Sequence, residues 1–279
     1  MPLNLKKNTI KHLLSLVFAL LSASAPAATI TGQTGSSGEP FLLIELNGSI
    51  NSSDENQVHT LLSKYPKHAV GVNLSSIGGD VDSSISIGRL LRAREASITV
   101  TDECLSSCVL IYASGVERMN IAQAASELGN RSILSTGIGI HRLYFSNISP
   151  DSTMIQISTA RNRLKERVGK YLSEMNVSLQ LLDAMEAVPP EEIRILQLTE
   201  LRQFGLGKID PALDEKRVAQ QAATYNLTSA EFRRRSAAAR SHCVQFPPGT
   251  NCIKRPSVCK VDLNLLALCE DNFIRAGIR

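Results

Sequence analysis

Residues 68–93 read HAVGVNLSSIGGDVDSSISIGRLLRA, and this stretch decides the fold class. The run from His68 to Leu74 is short, apolar and rich in valine, which predicts a buried strand. Ser76-Ile77-Gly78-Gly79 follows as a turn, and apolar residues at helical spacing then predict a helix from Ser83 to Ala93. A buried strand, a glycine turn and an amphipathic helix form the repeating unit of α/β folds with a largely parallel sheet.

The alternation of strands and helices continues on both sides of this unit. An amphipathic segment from Ser152 to Met175 predicts a long helix, and residues 193–210 predict a strand, a short helix and a strand. We therefore expect one α/β domain over residues 41–210. The other predicted strands are Phe41–Leu46, Ile98–Thr101 and Ile138–His141, and the other predicted helices are Asp54–Leu62, Leu105–Ala113 and Leu179–Ala187.

The first 27 residues have the pattern of a signal peptide. A basic region precedes an apolar run from Leu13 to Leu21, which is shorter than the roughly 20 residues of a bilayer span, and Ala25-Pro26-Ala27 fits a cleavage site. A retained anchor is the alternative, and the small residues from Ser22 to Ala28 argue against it. Residues 28–40 are rich in Gly, Ser and Thr, which predicts a flexible leader. We expect an exported protein, periplasmic or secreted, with no membrane span after processing.

Composition narrows the classes of function. The chain has 279 residues, of which 43% are hydrophobic and 20% charged, which excludes whole-chain disorder, collagen and coiled coil. The net charge of +4 falls to +1 when the three signal-peptide lysines leave, and this excess is too small for a nucleic-acid binder. The sequence has neither closely paired metal ligands nor a phosphate-binding loop, so we expect no metal and no cofactor.

Six cysteines are expected to pair in an oxidising compartment. Cys104 and Cys108 flank the junction between a predicted strand and a predicted helix, where they either bridge or lie adjacent as small buried side chains. Residues 211–279 form a predicted C-terminal extension that carries an Arg-rich helix from Ser229 to Ser241 and a disulfide-stapled loop. Three pairings are possible among its four cysteines. These are Cys243, Cys252, Cys259 and Cys269.

Four local features are candidates for chemistry, and each has an ordinary structural alternative. The glycine turn brings backbone N–H groups close to a ligand, or it only connects a strand to a helix. Ser106 stands at a strand–helix junction, as a nucleophile or as a helix cap. His141 ends a strand, as a general base or as a structural histidine. Glu191 and Glu192 precede a strand, where one orients an imidazole or both are solvated.

Taken in chain order, these features resemble the proteolytic subunit of the Clp endopeptidase and its relatives in the ClpP/crotonase fold. The resemblance covers residues 41–210 and is closest to exported ClpP-like proteins with a Cys-x-Ser-x-Cys junction. Ser106 matches the family nucleophile before an apolar helix, and His141 matches the family base in an Ile-His pair. The turn that ends at Gly79 resembles the family's Ser-Pro-Gly-Gly, with Ile in place of Pro. The resemblance implies that the Gly79 and Ser107 amides hold an oxyanion.

One position departs from the family pattern. Counted back from Gly205, the family's catalytic Asp falls on Ile193. Glu192 is one residue away and takes the role after a small register shift, so the implied catalytic set is Ser106, His141 and Glu192. A Ser–His dyad and an inactive site are the alternatives.

The resemblance implies an exported serine peptidase that cleaves peptides or unfolded proteins and forms homo-oligomers through the helix over residues 152–175. The alternative is a non-catalytic ClpP-like module that binds extended peptides or a partner protein. An acid in contact with His141 would favour the enzyme. Acyl-CoA chemistry of the crotonase type is disfavoured, because an exported protein rarely meets CoA and no basic phosphate-binding cluster adjoins the glycine turn.

Overall fold

The computed structural model of the chain describes residues 27–35, 40–127, 135–144 and 151–243, and five residues near the C-terminus. Those five residues are 269, 271, 272, 274 and 275. The predicted signal peptide before Ala27 lies outside the described residues, as do Cys252 and Cys259. The side chain of Cys243 lies outside them as well.

A mixed seven-stranded sheet forms the centre of the described part of the chain. Its order is β1-β2-β3-β4-β6-β7, and β5 pairs with β4 outside this path. The pairs within β2, β3, β4, β5 and β6 are parallel, whereas β1 and β7 run antiparallel to their neighbours. The expected α/β domain with a largely parallel sheet is therefore confirmed. The strands are β1 Thr29–Gly35, β2 Phe41–Asn47, β3 Ala69–Ser76, β4 Ser97–Leu105, β5 Glu117–Met119, β6 Ile138–Ile140 and β7 Arg194–Ile195.

Nine helices accompany the sheet in the described residues. The core includes buried side chains of the sheet and of the helices between residues 54 and 203. The last two helices share a smaller apolar cluster, built around Val218, Ala222 and Phe232. The helices are α1 Asp54–Lys64, α2 Val81–Ala93, α3 Cys108–Ser114, α4 Ile121–Glu127, α5 Met154–Glu174, α6 Gln180–Glu186, α7 Leu198–Gln203, α8 Pro211–Thr224 and α9 Ser229–Cys243. Within the described ranges, none of these helices combines the length and apolarity needed to cross a membrane.

The predicted flexible leader differs from the structure over Thr29–Gly35. This segment forms β1, which pairs with β2 in the register Ile30↔Leu46. The pairing satisfies backbone donors and acceptors at the edge of β2, which would otherwise be open. Ile30 is the only apolar residue in β1, so the segment carries little of the hydrophobic pattern that predicts a strand.

The long helix predicted over residues 152–175 is confirmed as α5. It begins after Thr153, whose hydroxyl accepts a hydrogen bond from the Gln156 N–H in a capping box. Its second half is buried from Leu164 onward and packs on the core. The first ten residues of α5 include no buried side chain, and Met154 and Ile155 are 79% and 78% exposed.

Candidate active site

Ser106 stands on a sharp turn between a strand and a helix. The strand β4 ends at Leu105, and α3 begins at Cys108 rather than at Leu105, where the sequence had predicted it. Ser106 has a φ of +58°, in the left-handed region that costs a residue other than glycine about 1–3 kcal/mol. The Ser106 N–H donates to the Gly139 carbonyl at 2.9 Å, which fixes the turn against β6. A serine on such a strained strand-to-helix turn presents its Oγ outward.

A disulfide spans this turn. Cys104 and Cys108 are bonded, which is the first of the two expected alternatives, and both side chains are fully buried. Cys269 is also disulfide-bonded. The pairing proposed for the cysteines of the C-terminal extension otherwise lies outside the described residues. The Cys104–Cys108 bridge encloses Ser106 in a loop of three residues.

The glycine turn between β3 and α2 lies against the serine turn. Gly78 has a φ of +93°, and a Cβ there would lie 2.6 Å from the Leu105 carbonyl oxygen and 2.7 Å from the Ser106 Cβ. Gly79 has a φ of +146°, and the residues on either side of it are hydrogen-bonded to Ile50. The Ile50 N–H donates to the Gly78 carbonyl at 2.8 Å, and the Asp80 N–H donates to the Ile50 carbonyl at 2.9 Å. Only glycine allows the two turns to approach this closely.

Several backbone amides of the described residues remain unpaired where the turns meet, among them those of Gly79 and Ser107. The Gly78 N–H donates to Ser76 Oγ at 3.1 Å, and the Asp80 and Ser106 N–H groups bind carbonyls. Among the described residues, the Gly79 and Ser107 N–H groups have no acceptor. The Ser107 nitrogen lies 3.0 Å from the point where a Cβ of Gly78 would stand, so the two segments are in contact. Two free amides on adjoining segments are the donors that an oxyanion requires.

His141 follows directly after β6 and is 6% exposed. Its Nδ1 lies 3.0 Å from the Arg142 carbonyl oxygen. Because a carbonyl only accepts, Nδ1 carries the proton and the neutral ring keeps a lone pair on Nε2. Burial lowers the pKa of His141, and the bond to Arg142 opposes this shift without reversing it. The ring is therefore a neutral base near neutral pH.

Arg142 is itself anchored through both its backbone and its side chain. Its N–H donates to the Val188 carbonyl at 2.9 Å, and its Nε donates to the Glu186 carbonyl at 2.9 Å. These two bonds fix the orientation of the carbonyl that holds His141. Sequence analysis missed this contact, because a backbone carbonyl leaves no signature in the residue types.

The acidic segment does not join the site. Glu191 and Glu192 are exposed in the turn that precedes β7, and neither lines the cavity that contains His141. The pairing of Ile140 with Arg194 would place Ile193 opposite His141 if it continued by one residue. An apolar side chain thus stands at the position where the family pattern predicts an acid. The role of Glu192 stays a prediction, and the structure gives Nδ1 of His141 a different partner.

A cavity of about 540 Å³ joins these elements. Ser106, His141, Gly78 and Gly79 all line it. Its other walls include apolar side chains of α2, α5 and the segment after β6, represented by Val81, Leu164 and Leu143. An ion pair between Arg167 and Asp82 at 3.1 Å stands on the same wall; both side chains are more than half exposed, so it contributes at most about 1 kcal/mol. Tyr144 packs on the His141 ring at 5.4 Å between centroids.

The structure thus brings together Ser106, His141 and Gly79 at one cavity, with the Ser107 amide beside them, and leaves Glu192 outside it. The described residues contain no cluster of His, Cys, Asp and Glu able to hold a metal ion. A comparison with protein-family models found no match, and a search of the curated proteins found no similar sequence. The functional conclusion therefore depends on the contacts around Ser106 and His141.

Proposed function

We propose that this protein is a serine peptidase that cleaves peptide bonds in unfolded substrates. The observation that carries the proposal is that Ser106, on a strained turn, lines the same cavity as a buried histidine whose free nitrogen is Nε2. A nucleophile and a neutral base at one cavity are the minimum for acyl transfer.

The chemistry proceeds in two steps. His141 Nε2 removes the proton from Ser106 Oγ as the oxygen attacks the peptide carbonyl carbon, and the same nitrogen then donates the proton to the leaving amine. The Gly79 and Ser107 amides hold the oxyanion that forms on the carbonyl oxygen. A water molecule, activated by the same histidine, then hydrolyses the acyl-enzyme and restores Ser106. No cofactor is required.

The Arg142 carbonyl takes the place that an acid holds in a Ser-His-Asp triad. It fixes the tautomer and the orientation of His141, but as a dipole it stabilises the imidazolium less than a carboxylate does. Disabling the acid of a triad lowers turnover by about 10⁴-fold, and catalysis above the water reaction persists. We therefore expect a slow peptidase that works as a Ser–His dyad.

The proposal includes the fold family, the compartment and the assembly. The order of strand, glycine turn, serine turn and strand-end histidine supports a ClpP/crotonase-like domain. The disulfide at Cys104 supports export, since disulfides persist in oxidising compartments. The exposed Met154 and Ile155 on the free half of α5 support self-association, because large exposed apolar side chains mark contact surfaces.

A non-catalytic peptide-binding module is the second candidate. It is favoured by Ile193, which stands where the family pattern predicts an acid, and by the exposure of Glu192. In that case the cavity and the free amides bind an extended peptide without cleaving it.

Hydrolysis of a fluorescently labelled unfolded protein distinguishes the two candidates. We expect cleavage by the wild type and loss of cleavage in Ser106→Ala and His141→Ala. The matched controls are Ser173→Ala on the exposed side of α5 and His59→Ala on the surface of α1, which should cleave normally. Binding of the substrate without cleavage by the wild type would favour the module. Cleavage that persists in Ser106→Ala would remove Ser106 from the mechanism.

A further inference from the structure

The disulfide closes the turn that carries the candidate nucleophile. Cys104 belongs to the end of β4 and Cys108 is the first residue of α3, so the bridge joins the two elements across Leu105, Ser106 and Ser107. A loop this short contributes little chain entropy compared with a long loop. Its consequence is local, since it holds together the two ends of the turn that carries Ser106.

The conformation of Ser106 needs such a restraint. Its left-handed φ of +58° is unfavourable for a side chain with a Cβ and persists only when the surroundings impose it. The Ser106 N–H bond to Gly139 and the contact with Gly78 hold one side of the turn. The disulfide is the covalent link that holds both ends. Without it, Ser106 can relax to a negative φ, which turns Oγ away from its present direction in the cavity.

We propose that Cys104 and Cys108 are positioning residues for Ser106, so that forming their disulfide switches the site on; this inference rests on the proposed function. In this step the two thiols transfer two electrons and two protons to a disulfide oxidant such as oxidised glutathione. The oxidant is reduced to two thiols as the Cys104–Cys108 bond forms. Both cysteine side chains are fully buried in the fold, so the exchange must occur before the core closes. Ser106 is therefore much less reactive when the protein folds under reducing conditions, and it becomes permanently reactive when the protein folds in an oxidising compartment.

The test compares how fast a fluorophosphonate probe labels Ser106 in four preparations. They are the native protein, the wild type unfolded and refolded in dithiothreitol, the double variant Cys104→Ala/Cys108→Ala, and Val109→Ala. Val109 is fully buried beside Cys108 in α3, so its truncation disturbs the same core and leaves the bridge intact. Circular dichroism and thermal unfolding report whether each preparation is folded.

We expect the native protein and Val109→Ala to label at similar rates per folded molecule. The reduced wild type and the double alanine variant should fold cooperatively and label at least about tenfold more slowly. In hydrolysis assays kcat should fall and KM should change little, because most of the cavity wall comes from other elements. Refolding in dithiothreitol should have no further effect on the double variant.

Each other result has a definite meaning. Equal labelling of the native protein and the double variant overturns the positioning role and leaves the proposed peptidase intact. Absence of labelling at Ser106 in the native protein overturns the proposed function and this inference with it. If neither disulfide-free preparation folds, the bridge is a folding requirement rather than a positioning device, and the inference is overturned. A similar loss of labelling in Val109→Ala would overturn it as well, since core packing would then be the cause.

Discussion

Replacing Gly78 with alanine tests the contact between the glycine turn and the serine turn. Two costs add up at this position. A φ of +93° is strained for alanine by about 1–2 kcal/mol, as left-handed backbone is for any residue with a Cβ. The added Cβ would also lie 2.6 Å from the Leu105 carbonyl oxygen and 2.7 Å from the Ser106 Cβ, an overlap that costs about 1–3 kcal/mol to relieve. We therefore expect Gly78→Ala to lower the free energy of unfolding by about 2–5 kcal/mol.

The same overlap should reduce reactivity in the molecules that remain folded. Relief of the clash moves Ser106 or the Ser107 amide, and a displacement of about 1 Å costs roughly 10²-fold in rate. Urea denaturation measures the first effect and the rate of fluorophosphonate labelling per folded molecule measures the second. The matched control is Gly71→Ala in β3, the strand before the turn, where an added Cβ would lie 3.4 Å from Leu43 Cδ1, an ordinary contact. Wild-type stability and labelling in Gly78→Ala would refute the close approach of the two turns.

Three further changes test other parts of the account. Ile193→Asp should place a carboxylate opposite His141, raise the pKa of the His141 imidazole and shift the acid limb of kcat/KM to higher pH. Ile195→Asp should leave the profile unchanged, and equal profiles for the two variants would refute the inferred register. Because burial lowers the pKa of His141, the folded protein binds fewer protons than the unfolded chain, so stability should fall as pH drops below about 6.5, the unfolded value. Urea denaturation at pH 7.5 and 5.5 should show this loss and His141→Gln should reduce it, while an unchanged loss would assign it to other groups. Met154→Glu/Ile155→Glu should weaken self-association in sedimentation velocity at micromolar concentration, and a monomeric wild type would contradict the assembly.

The sheet was predictable where one face of a strand is fully buried. In β3, Val70, Val72 and Leu74 are buried and alternate with half-buried residues, and the apolar residues of β2 alternate in the same way. The strand β1 was not predictable, because its stability comes from backbone bonds to β2 rather than from its own side chains. Edge strands of this kind carry little hydrophobic signal.

The candidate site likewise has features that the sequence predicts and features that it does not. Ser106 and His141 stand at junctions between elements, and such junctions are visible in the sequence as changes of pattern. The left-handed turn at Ser106 and the contact between His141 and the Arg142 carbonyl are backbone features, and the residue types at these positions do not predict them. The acid predicted at Glu192 depended on a shift of one residue, and side chains in a strand change face with each residue. Local pattern therefore located Ser106 and His141, which line one cavity, but did not determine how the His141 ring is oriented.

The most direct test of the central claim is to identify the residue that a fluorophosphonate probe modifies in the native, oxidised protein. The probe reacts only with a serine whose hydroxyl is activated by a base, so peptide mass spectrometry after labelling reads the chemistry of the site itself. We predict a single adduct on Ser106, lost in His141→Ala and retained in the surface control His59→Ala. An unmodified Ser106, or an adduct on another serine, would contradict the account.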